Sequence, residues 1–238
     1  MPLILCHSPV GGAGTTFLAA RLALGLAARG HDVTAIDFTH ADALKLFFGM
    51  LPTQEIPAMT DATTEGIVVD GVELLSGYAA VQSGAFDRLL TRLGTSPFDD
   101  ERVVFADVSS ADVALKAKLL RHAALHLCVL TPQPTSLAAL SKVQPGTATV
   151  DLEQTAFVLN QVDDTRKLSR HSQIFLRALF GDNLIGTVRR DEAVNEALAS
   201  FQPILRYAKQ SVVLPDLVAL TAAVETRCGL VADEKQAS

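Results

Sequence analysis

The sequence predicts an open, doubly wound α/β fold in which a mostly parallel sheet carries helices on both faces. Its candidate strands are short, continuous apolar runs without alternation, which is typical of parallel strands covered on both sides. Stretches with helical spacing separate these runs, and this order indicates repeated strand–helix–strand units. Ligands of such sheets bind at the carboxyl ends of the strands, so the residues that follow each strand are the first candidates for a site.

The elements can be placed in chain order from local signals. Leu3–Cys6 is a short buried strand, and Thr15–Arg29 is a helix, because its apolar residues recur at helical spacing before Gly30 ends it. Asp32–Asp37 is the second strand, and the Pro- and Thr-containing stretch Pro52–Gly66 is irregular. The elements predicted after it are a strand Val69–Leu75, a helix Phe86–Leu93, a strand Arg102–Asp107, a helix Ala111–His122, a strand Leu125–Leu130, a helix from Ser136, a strand Ala156–Asn160, a helix Ser169–Phe180, a strand Leu184–Val188, a helix Glu192–Ser200 and a last helix Pro215–Cys228.

Length and composition fit one globular domain. The chain has 238 residues, 49% of them apolar, and a mean hydropathy of +0.29. We expect a single domain over residues 1–238 with a disordered tail over 231–238. A membrane span is not expected, because no run of about 18 uninterrupted apolar residues occurs. The N-terminus, MPLILCHSP, lacks a basic region and predicts a strand instead of a signal peptide, which favours a cytoplasmic protein.

Charge and cysteine usage disfavour two other classes of protein. The net charge of −6 and the pI of about 5.5 make nucleic-acid binding an unlikely role. Cys6, Cys128 and Cys228 lack ligand spacing, so we expect free thiols without a metal site or disulfide. We interpret one group of basic residues as a solvated helix face and loop: Arg166, Lys167, Arg170, Arg177, Arg189 and Arg190.

A glycine-rich turn, PVGGAGTT, joins the first strand to the first helix and has the outline of a phosphate-binding loop. Relative to the pattern GxxxxGK[ST], Pro9 takes the first glycine position and Thr15 the lysine position, whereas Thr16 keeps the hydroxyl that such loops use on Mg²⁺. Successive N–H groups and the helix N-terminus can still hold an anion. Because the missing lysine removes a hydrogen bond of about 1.5–3 kcal/mol, we expect a site that holds a nucleotide and hydrolyses it slowly. A glycine-rich turn without a ligand is the alternative.

Polar residues end three other strands at the same edge of the predicted sheet. Asp37 ends the second strand, and Asp107 ends RVVFAD as a Walker-B acid does. Each can hold Mg²⁺ through water or position an attacking water, or can instead cap the next segment. We favour the metal role for both acids. Asn160 opens the sequence NQVD, which can contact a purine base: guanine if Asp163 takes part, and the N6/N7 edge of adenine if it does not.

The stretch GGAGTTFLAARLALGLAARGHDVTAID resembles the start of the ParA/MinD class of deviant-Walker ATPases, and most of all the BcsQ (YhjQ) family encoded with bacterial cellulose synthase. That family has GGxGTT where its relatives have GGxGKT, and Gly11, Gly12, Gly14, Thr15 and Thr16 match this variant. The segments DFTHADALKLFFG, LNQVDD and VRRDEAVNEALASFQPILRYAKQS are also similar, so the resemblance spans nearly the full chain.

The resemblance implies a P-loop α/β domain that binds ATP with Mg²⁺ and forms a homodimer through a nucleotide sandwich. It implies a regulatory subunit of the cellulose secretion machinery, which works with BcsR and BcsE and is recruited by them to the cytoplasmic face of the inner membrane. Carried onto this sequence, it assigns the phosphates to Gly11, Gly12, Ala13, Gly14, Thr15 and Thr16, with Phe17 also in the nucleotide site. It assigns Mg²⁺ to Thr16 and Asp107, adenine to Asn160, and the border of the base to the segment Val188–Asp191, which includes Arg189.

Two features depart from the ParA/MinD pattern. Val10 stands where that class has a lysine or arginine that reaches across the dimer, and Asp107-Val-Ser-Ser-Ala replaces the switch II sequence DxPxG. Both favour a slow or locked site. The helix after Pro215 is apolar but not basic, unlike the membrane-binding helix of MinD, so direct membrane attachment is not expected. Two other functions stay open: an active ATPase that positions chromosomes, flagella or pili, and a scaffold that binds no nucleotide.

Overall fold

The computed structural model describes residues 2–60, 64–91, 102–142 and 154–230. The end of the predicted helix Phe86–Leu93, part of the stretch Pro52–Gly66 and the tail predicted over 231–238 lie outside the described residues. None of the helices in the described ranges is both long and apolar enough to cross a membrane.

The described residues form one sheet flanked by helices. The strands are β1 (Leu3–His7), β2 (Val33–Asp37), β3 (Ile67–Val69), β4 (Val72–Ser76), β5 (Val103–Asp107), β6 (Ala123–Leu130), β7 (Thr155–Val162) and β8 (Leu184–Arg189). The helices are α1 (Thr15–Ala27), α2 (Tyr78–Gln82), α3 (Ala85–Thr91), α4 (Val113–Leu120), α5 (Pro134–Ala138), α6 (Lys167–Phe180), α7 (Ala193–Ala199), α8 (Ile204–Tyr207) and α9 (Val213–Arg227), with 3₁₀ turns at Leu44–Phe48, Ala139–Lys142 and Gly181–Asn183.

The sheet has the order β3-β4-β2-β5-β1-β6-β7-β8, and its neighbouring strands are parallel except for β3 and β4. This confirms the predicted doubly wound α/β class. Parallel strands bring their carboxyl ends to one edge, and the register aligns Cys6 with Asp107 and Asp107 with Asp37. The ends of β1, β2 and β5 are therefore neighbours at the edge where the glycine-rich loop begins.

The central strand β1 is buried on both faces, which explains its uninterrupted apolar sequence. Ile4 and Cys6 face one core, which α1 and α9 cover, whereas Leu3 and Leu5 face a second core that includes Leu115 of α4. Because successive side chains of a strand point to opposite faces, one apolar run supplies both cores. Helix α1 is thus packed firmly against the sheet while its first turn stays at the edge.

The predicted single strand Val69–Leu75 is wrong. The chain instead forms an antiparallel hairpin in which β3 and β4 are joined at Asp70 and Gly71. Both turn residues have positive φ, 48° and 83°, as a two-residue turn between twisted strands requires. The Asp-Gly dipeptide is the sequence signal for such a turn, but the apolar residues on both sides of it look like one run.

Candidate functional site

The loop between β1 and α1 turns at two glycines with positive φ. Gly12 has a φ of 76°, and Gly14, which directly precedes the first helical residue Thr15, has a φ of 82°. Other residues rarely adopt this conformation, and this explains the glycines of the sequence at both positions. The turn leads the backbone across the N-terminus of α1, where the first N–H groups have no acceptor within the helix.

Two side chains at the end of β7 hold this loop by hydrogen bonds to its carbonyl groups. Asn160 Nδ2 donates to the carbonyl oxygen of Ala13 at 2.8 Å, and Gln161 Nε2 donates to that of Gly12 at 2.9 Å. Within the described part of the chain, the N–H groups of Gly11–Thr16 donate no hydrogen bond to another protein atom. Unpaired N–H groups in succession at a helix N-terminus are the arrangement that binds phosphate.

Gly14 is also required by the close approach of Asn160. A Cβ atom at position 14 would lie 2.4 Å from Asn160 Nδ2, which is far inside van der Waals contact. Asn160 itself is buried, with 4% of its surface exposed. Its bond to Ala13 uses one N–H, and the amide oxygen and second N–H are the groups that would contact a base. The adenine contact of Asn160 therefore stays a prediction, beside an observed role in shaping the loop.

The loop borders a cleft of about 560 Å³, a volume in the range of small-molecule sites. The structure brings most of the predicted site residues to its lining: Gly11, Gly12, Ala13, Gly14, Thr15, Thr16, Phe17, Asp107, Asn160, Arg189 and Asp191. Phe17 packs its ring against Phe47, with the ring centroids 5.7 Å apart. Val188 and Asp37 are fully buried behind the lining, so neither contacts the cleft directly.

Asp107 presents a buried carboxylate to this cleft. It is 1% exposed, and neither of its oxygens has a well-formed hydrogen bond to a described residue, although the Thr16 hydroxyl is near enough to influence it. Burial and, to a smaller extent, the charge of Asp37 raise the pKa of Asp107 to about 7. The Thr16 hydroxyl partly opposes this rise. A buried carboxylate without a partner is costly unless a cation or donor completes it. The oxygens of Asp107 and Thr16 are hard ligands that fit Mg²⁺.

Asp37 has its hydrogen bonds within the protein. Its Oδ1 accepts from the N–H and the hydroxyl of Thr39, both at 2.7 Å, and its Oδ2 accepts from the N–H of Leu44 at 3.0 Å. Burial raises the pKa of Asp37, and these hydrogen bonds oppose that rise. The carboxylate thus fastens the segment that supplies Thr39, Ala41 and Ala43 to the cleft. This is the capping role considered from the sequence, and a catalytic role for Asp37 stays a prediction.

Arg189 and Asp191 are both tied to the beginning of α9. Arg189 Nε and Nη2 donate to the two carboxyl oxygens of Asp216 at 2.9 and 2.8 Å. Asp191 accepts from the Ser211 hydroxyl at 2.7 Å and from the N–H of Ala193 at 3.0 Å, and these bonds lower its pKa, the hydroxyl most. The two residues therefore fix this wall of the cleft, while their contacts with a base stay a prediction.

Sequence reasoning missed one residue that matters to the site, Gln161, and interpreted another, Arg190, as part of a solvated basic group. Gln161, at a φ of 58°, interrupts β7 so that it and Asn160 both reach the loop, and its amide directly after Asn160 was the only signal. Arg190 lines the cleft, and its side chain lies 3.6 Å from the exposed Glu192. Since Arg189 is bound to Asp216, Arg190 is the more loosely held of these two cleft arginines. The family resemblance placed the segment Val188–Asp191, which contains Arg190, at the border of the base, and the position of Arg190 in the cleft depends on β8 lying beside β7.

The chain matches a family of known proteins over most of its length. The profile of the family described as "Cellulose biosynthesis protein BcsQ" matches residues 1–224. A comparison with curated proteins found no match.

Solved structures with the same fold include ParA- and MinD-type proteins. A ParA family ATPase from Chlorobium tepidum TLS has a TM-score of 0.69 at 18% identity, with 93% of this chain and 97% of that chain covered. MinD from Pyrococcus horikoshii OT3, complexed with Mg-ADP, has a TM-score of 0.69 at 16% identity, with 98% and 99% covered. A McdA variant from Cyanothece in complex with ATP has a TM-score of 0.66 at 15% identity, with 98% of both chains covered. At these identities the likeness establishes a shared fold.

Proposed function

The chain belongs to the BcsQ family of cellulose biosynthesis proteins, and from this premise we propose that it is an ATP-binding regulatory subunit of a bacterial cellulose synthesis and secretion system. In this role it binds Mg²⁺–ATP and hydrolyses it slowly or not at all. The bound nucleotide then acts chiefly as a structural ligand that stabilises the conformation in which the protein binds its partners.

One observation carries the nucleotide part of this proposal. The N–H groups of Gly11–Thr16 are unpaired within the described residues and border the same cleft as the partnerless carboxylate of Asp107. The N–H groups suit a triphosphate, and the carboxylate suits the cation that accompanies it. A turn kept only as a scaffold gains nothing from exposing unpaired donors beside a buried acid. Ligands in the related MinD and McdA structures support the same interpretation.

Mg²⁺ would be held by the Thr16 hydroxyl and Asp107, and it would supply charge neutralisation at the phosphate oxygens. The chain's own atoms do the rest of the binding. Asn160 and Gln161 bind the carbonyl groups of Ala13 and Gly12, which leaves the N–H groups of the loop available to the anion. Asp37 keeps the segment up to Leu44 beside the cleft.

Slow hydrolysis follows from the charges that the cleft lacks. Thr15 and Val10 take the two positions where ParA and MinD relatives carry lysine or arginine. Of the described residues that line the cleft, Arg189 and Arg190 are the cations, and Arg189 is committed to Asp216. Charge that develops on a transferred phosphoryl group needs fixed positive partners. Binding by N–H groups is retained, whereas acceleration of the reaction is not.

The proposed assembly is a homodimer with nucleotide at its interface, in contact with BcsR- and BcsE-like subunits. These partners would bring the protein to the cytoplasmic face of the inner membrane. Membership of the BcsQ family supports the cellulose pathway, and the ParA/MinD fold supports a dimer of this kind.

The proposal is tested by thermal unfolding of nucleotide-free protein with ATP, in the presence of Mg²⁺ or of a chelator. We expect ATP with Mg²⁺ to raise the Tm, because a ligand of the folded state stabilises it. Thr16→Ser should retain this rise, since it keeps the hydroxyl, and Thr16→Ala should lose most of it. Absence of any rise in the unmodified protein would support a nucleotide-free scaffold. Sustained phosphate release that Asp107→Ala abolishes would support an active ATPase.

A further inference from the structure

A groove distinct from the cleft lies between α1, α8 and α9. Its volume is about 410 Å³, and most of its walls are apolar: Leu24, Pro203, Leu205, Leu214, Leu217 and Val218. Leu205 and Val218 are 52% and 64% exposed. Because α1 and α9 approach closely at Gly25, where a Cβ would lie 2.5 Å from Thr221 Oγ1, packing of the two helices fixes the walls of the groove.

The charged residues of the groove are mostly basic. Arg21, Arg29 and Arg206 line it, together with the single acid Asp70. Arg29 pairs with Glu225 at 2.6 Å, and the exposed Arg206 is 3.9 Å from Asp70. With Arg29 and Arg206 each facing an acid, the excess positive charge of the groove is that of Arg21. On a chain whose net charge is −6, this favours an acidic occupant.

Arg21 in the groove lacks a complete set of partners. It is 7% exposed, and its Nε has no hydrogen bond to a described residue. Burial lowers its pKa, which the charge of Asp70 opposes in part. A buried guanidinium is costly unless carboxylate or carbonyl oxygens complete it. A carboxylate that enters the groove between the apolar walls would supply them.

We propose that this groove docks an amphipathic helix of a partner protein. Apolar side chains of that helix lie against Leu205, Leu214 and Val218, and one of its carboxylates lies over Arg21. Recognition of a helix in a groove depends on apolar residues at helical spacing. The arginines of the groove additionally require an aspartate or glutamate in the partner helix. An anionic lipid surface fits less well, because Arg21 is only 7% exposed within the groove. The inference does not depend on nucleotide binding.

The test uses a display library of helix-forming peptides of about 15 residues, long enough to be helical, selected against the whole protein. Selected peptides are then synthesised, and their affinities are measured by fluorescence anisotropy. Val218→Glu places a carboxylate on the exposed wall, and Arg206→Ala removes a cation from the rim. Ile174→Glu on α6 is the matched control, because Ile174 is 69% exposed and lies outside the groove.

We expect the selected peptides to combine apolar residues at helical spacing with Asp or Glu. Val218→Glu should weaken their binding about tenfold or more and Arg206→Ala about threefold, whereas Ile174→Glu should leave it unchanged. Failure to select any peptide, peptides without acidic residues, or binding that survives Val218→Glu would each overturn the proposal. So would binding of phosphatidylglycerol vesicles that Val218→Glu abolishes, since it would assign the groove to lipid.

Discussion

Asp37 and Asp107 stand opposite each other at the ends of neighbouring parallel strands, yet only Asp37 has its hydrogen bonds within the protein. Thr39 and Leu44 donate to Asp37, so both of its carboxyl oxygens accept hydrogen bonds from the protein. Asp107 is equally buried, but neither of its oxygens has a well-formed hydrogen bond to a described residue, although the Thr16 hydroxyl is near. The two acids therefore have different roles: Asp37 fixes a loop, and Asp107 remains available to a ligand.

The first prediction concerns the pH dependence of nucleotide binding. Because the pKa of Asp107 is raised to about 7, protons and Mg²⁺ compete for one carboxylate near neutrality. We expect affinity for Mg²⁺–ATP to increase between about pH 6 and about pH 8 and to level off above that range. Calorimetric titration at several pH values measures it. Asp107→Asn should bind weakly with little pH dependence, and an unmodified protein with constant affinity would contradict the assignment of Asp107.

The second prediction concerns the stability of the ligand-free protein. A carboxyl group whose pKa is raised from 3.8 to about 7 on folding stabilises the protein below about pH 4, and this contribution is lost as the pH rises through 7. Asp107→Asn removes the buried charge, so it should raise the free energy of unfolding at about pH 8 by on the order of 2–4 kcal/mol. Urea unfolding at low and high pH measures the difference. Asp87→Asn, at an exposed residue, is the control and should change stability little.

The third prediction separates the two requirements on Gly14. Gly14→Ala places a Cβ at positive φ and also 2.4 Å from Asn160 Nδ2. We expect a Kd for ATP at least about tenfold higher, because Asn160 or the loop must move. Gly30→Ala is the matched control, since Gly30 has a φ of 91° and nothing within 4 Å of the added Cβ. It should cost about 1 kcal/mol of stability and leave ATP affinity unchanged; equal losses of affinity in both variants would refute the role of the close contact.

The fourth prediction tests whether the loop has kept the shape of one that carries lysine. Thr15 lines the cleft directly after Gly14, so Thr15→Lys should bring an ammonium group to the phosphates. One charge-assisted hydrogen bond is worth about 1.5–3 kcal/mol, which corresponds to a gain in affinity of roughly ten- to a hundredfold. Thr135→Lys adds the same charge at an exposed threonine outside the cleft. If the two variants bind ATP equally well, the loop does not direct residue 15 toward phosphate.

The residues of the candidate site could be predicted because each is marked by a short local pattern, an apolar strand followed by a glycine or a polar residue. A buried apolar run precedes each of three site residues, Gly14, Asp107 and Asn160. Parallel strands have their carboxyl ends at the same edge of the sheet, whatever the order of the strands. The sequence could therefore indicate a common site without knowledge of the topology. The same reasoning predicted the bounds of α6 and α9 to within a few residues of those observed.

Features that depend on distant pairs were not predictable in this way. Arg189 donates hydrogen bonds to Asp216, and these two residues are close only because α9 packs on β8. For that reason the composition around Arg189 predicts only a solvated basic face, and only the family resemblance places Arg189 beside a base. Helices α2 and α8 span five and four residues, too short for a periodic pattern. The turn at Asp70–Gly71 was obscured by apolar residues on both sides.

The bonds from Asn160 to Ala13 and from Gln161 to Gly12 join residues 147 and 149 positions apart in the chain. A ribosome completes β1 and α1 long before it makes the strand that holds the loop between them. Closing so long a segment is slow compared with forming a helix, so the loop acquires its binding shape late in folding. A chain that stops before β7 should therefore contain every glycine of the loop and still fail to retain ATP.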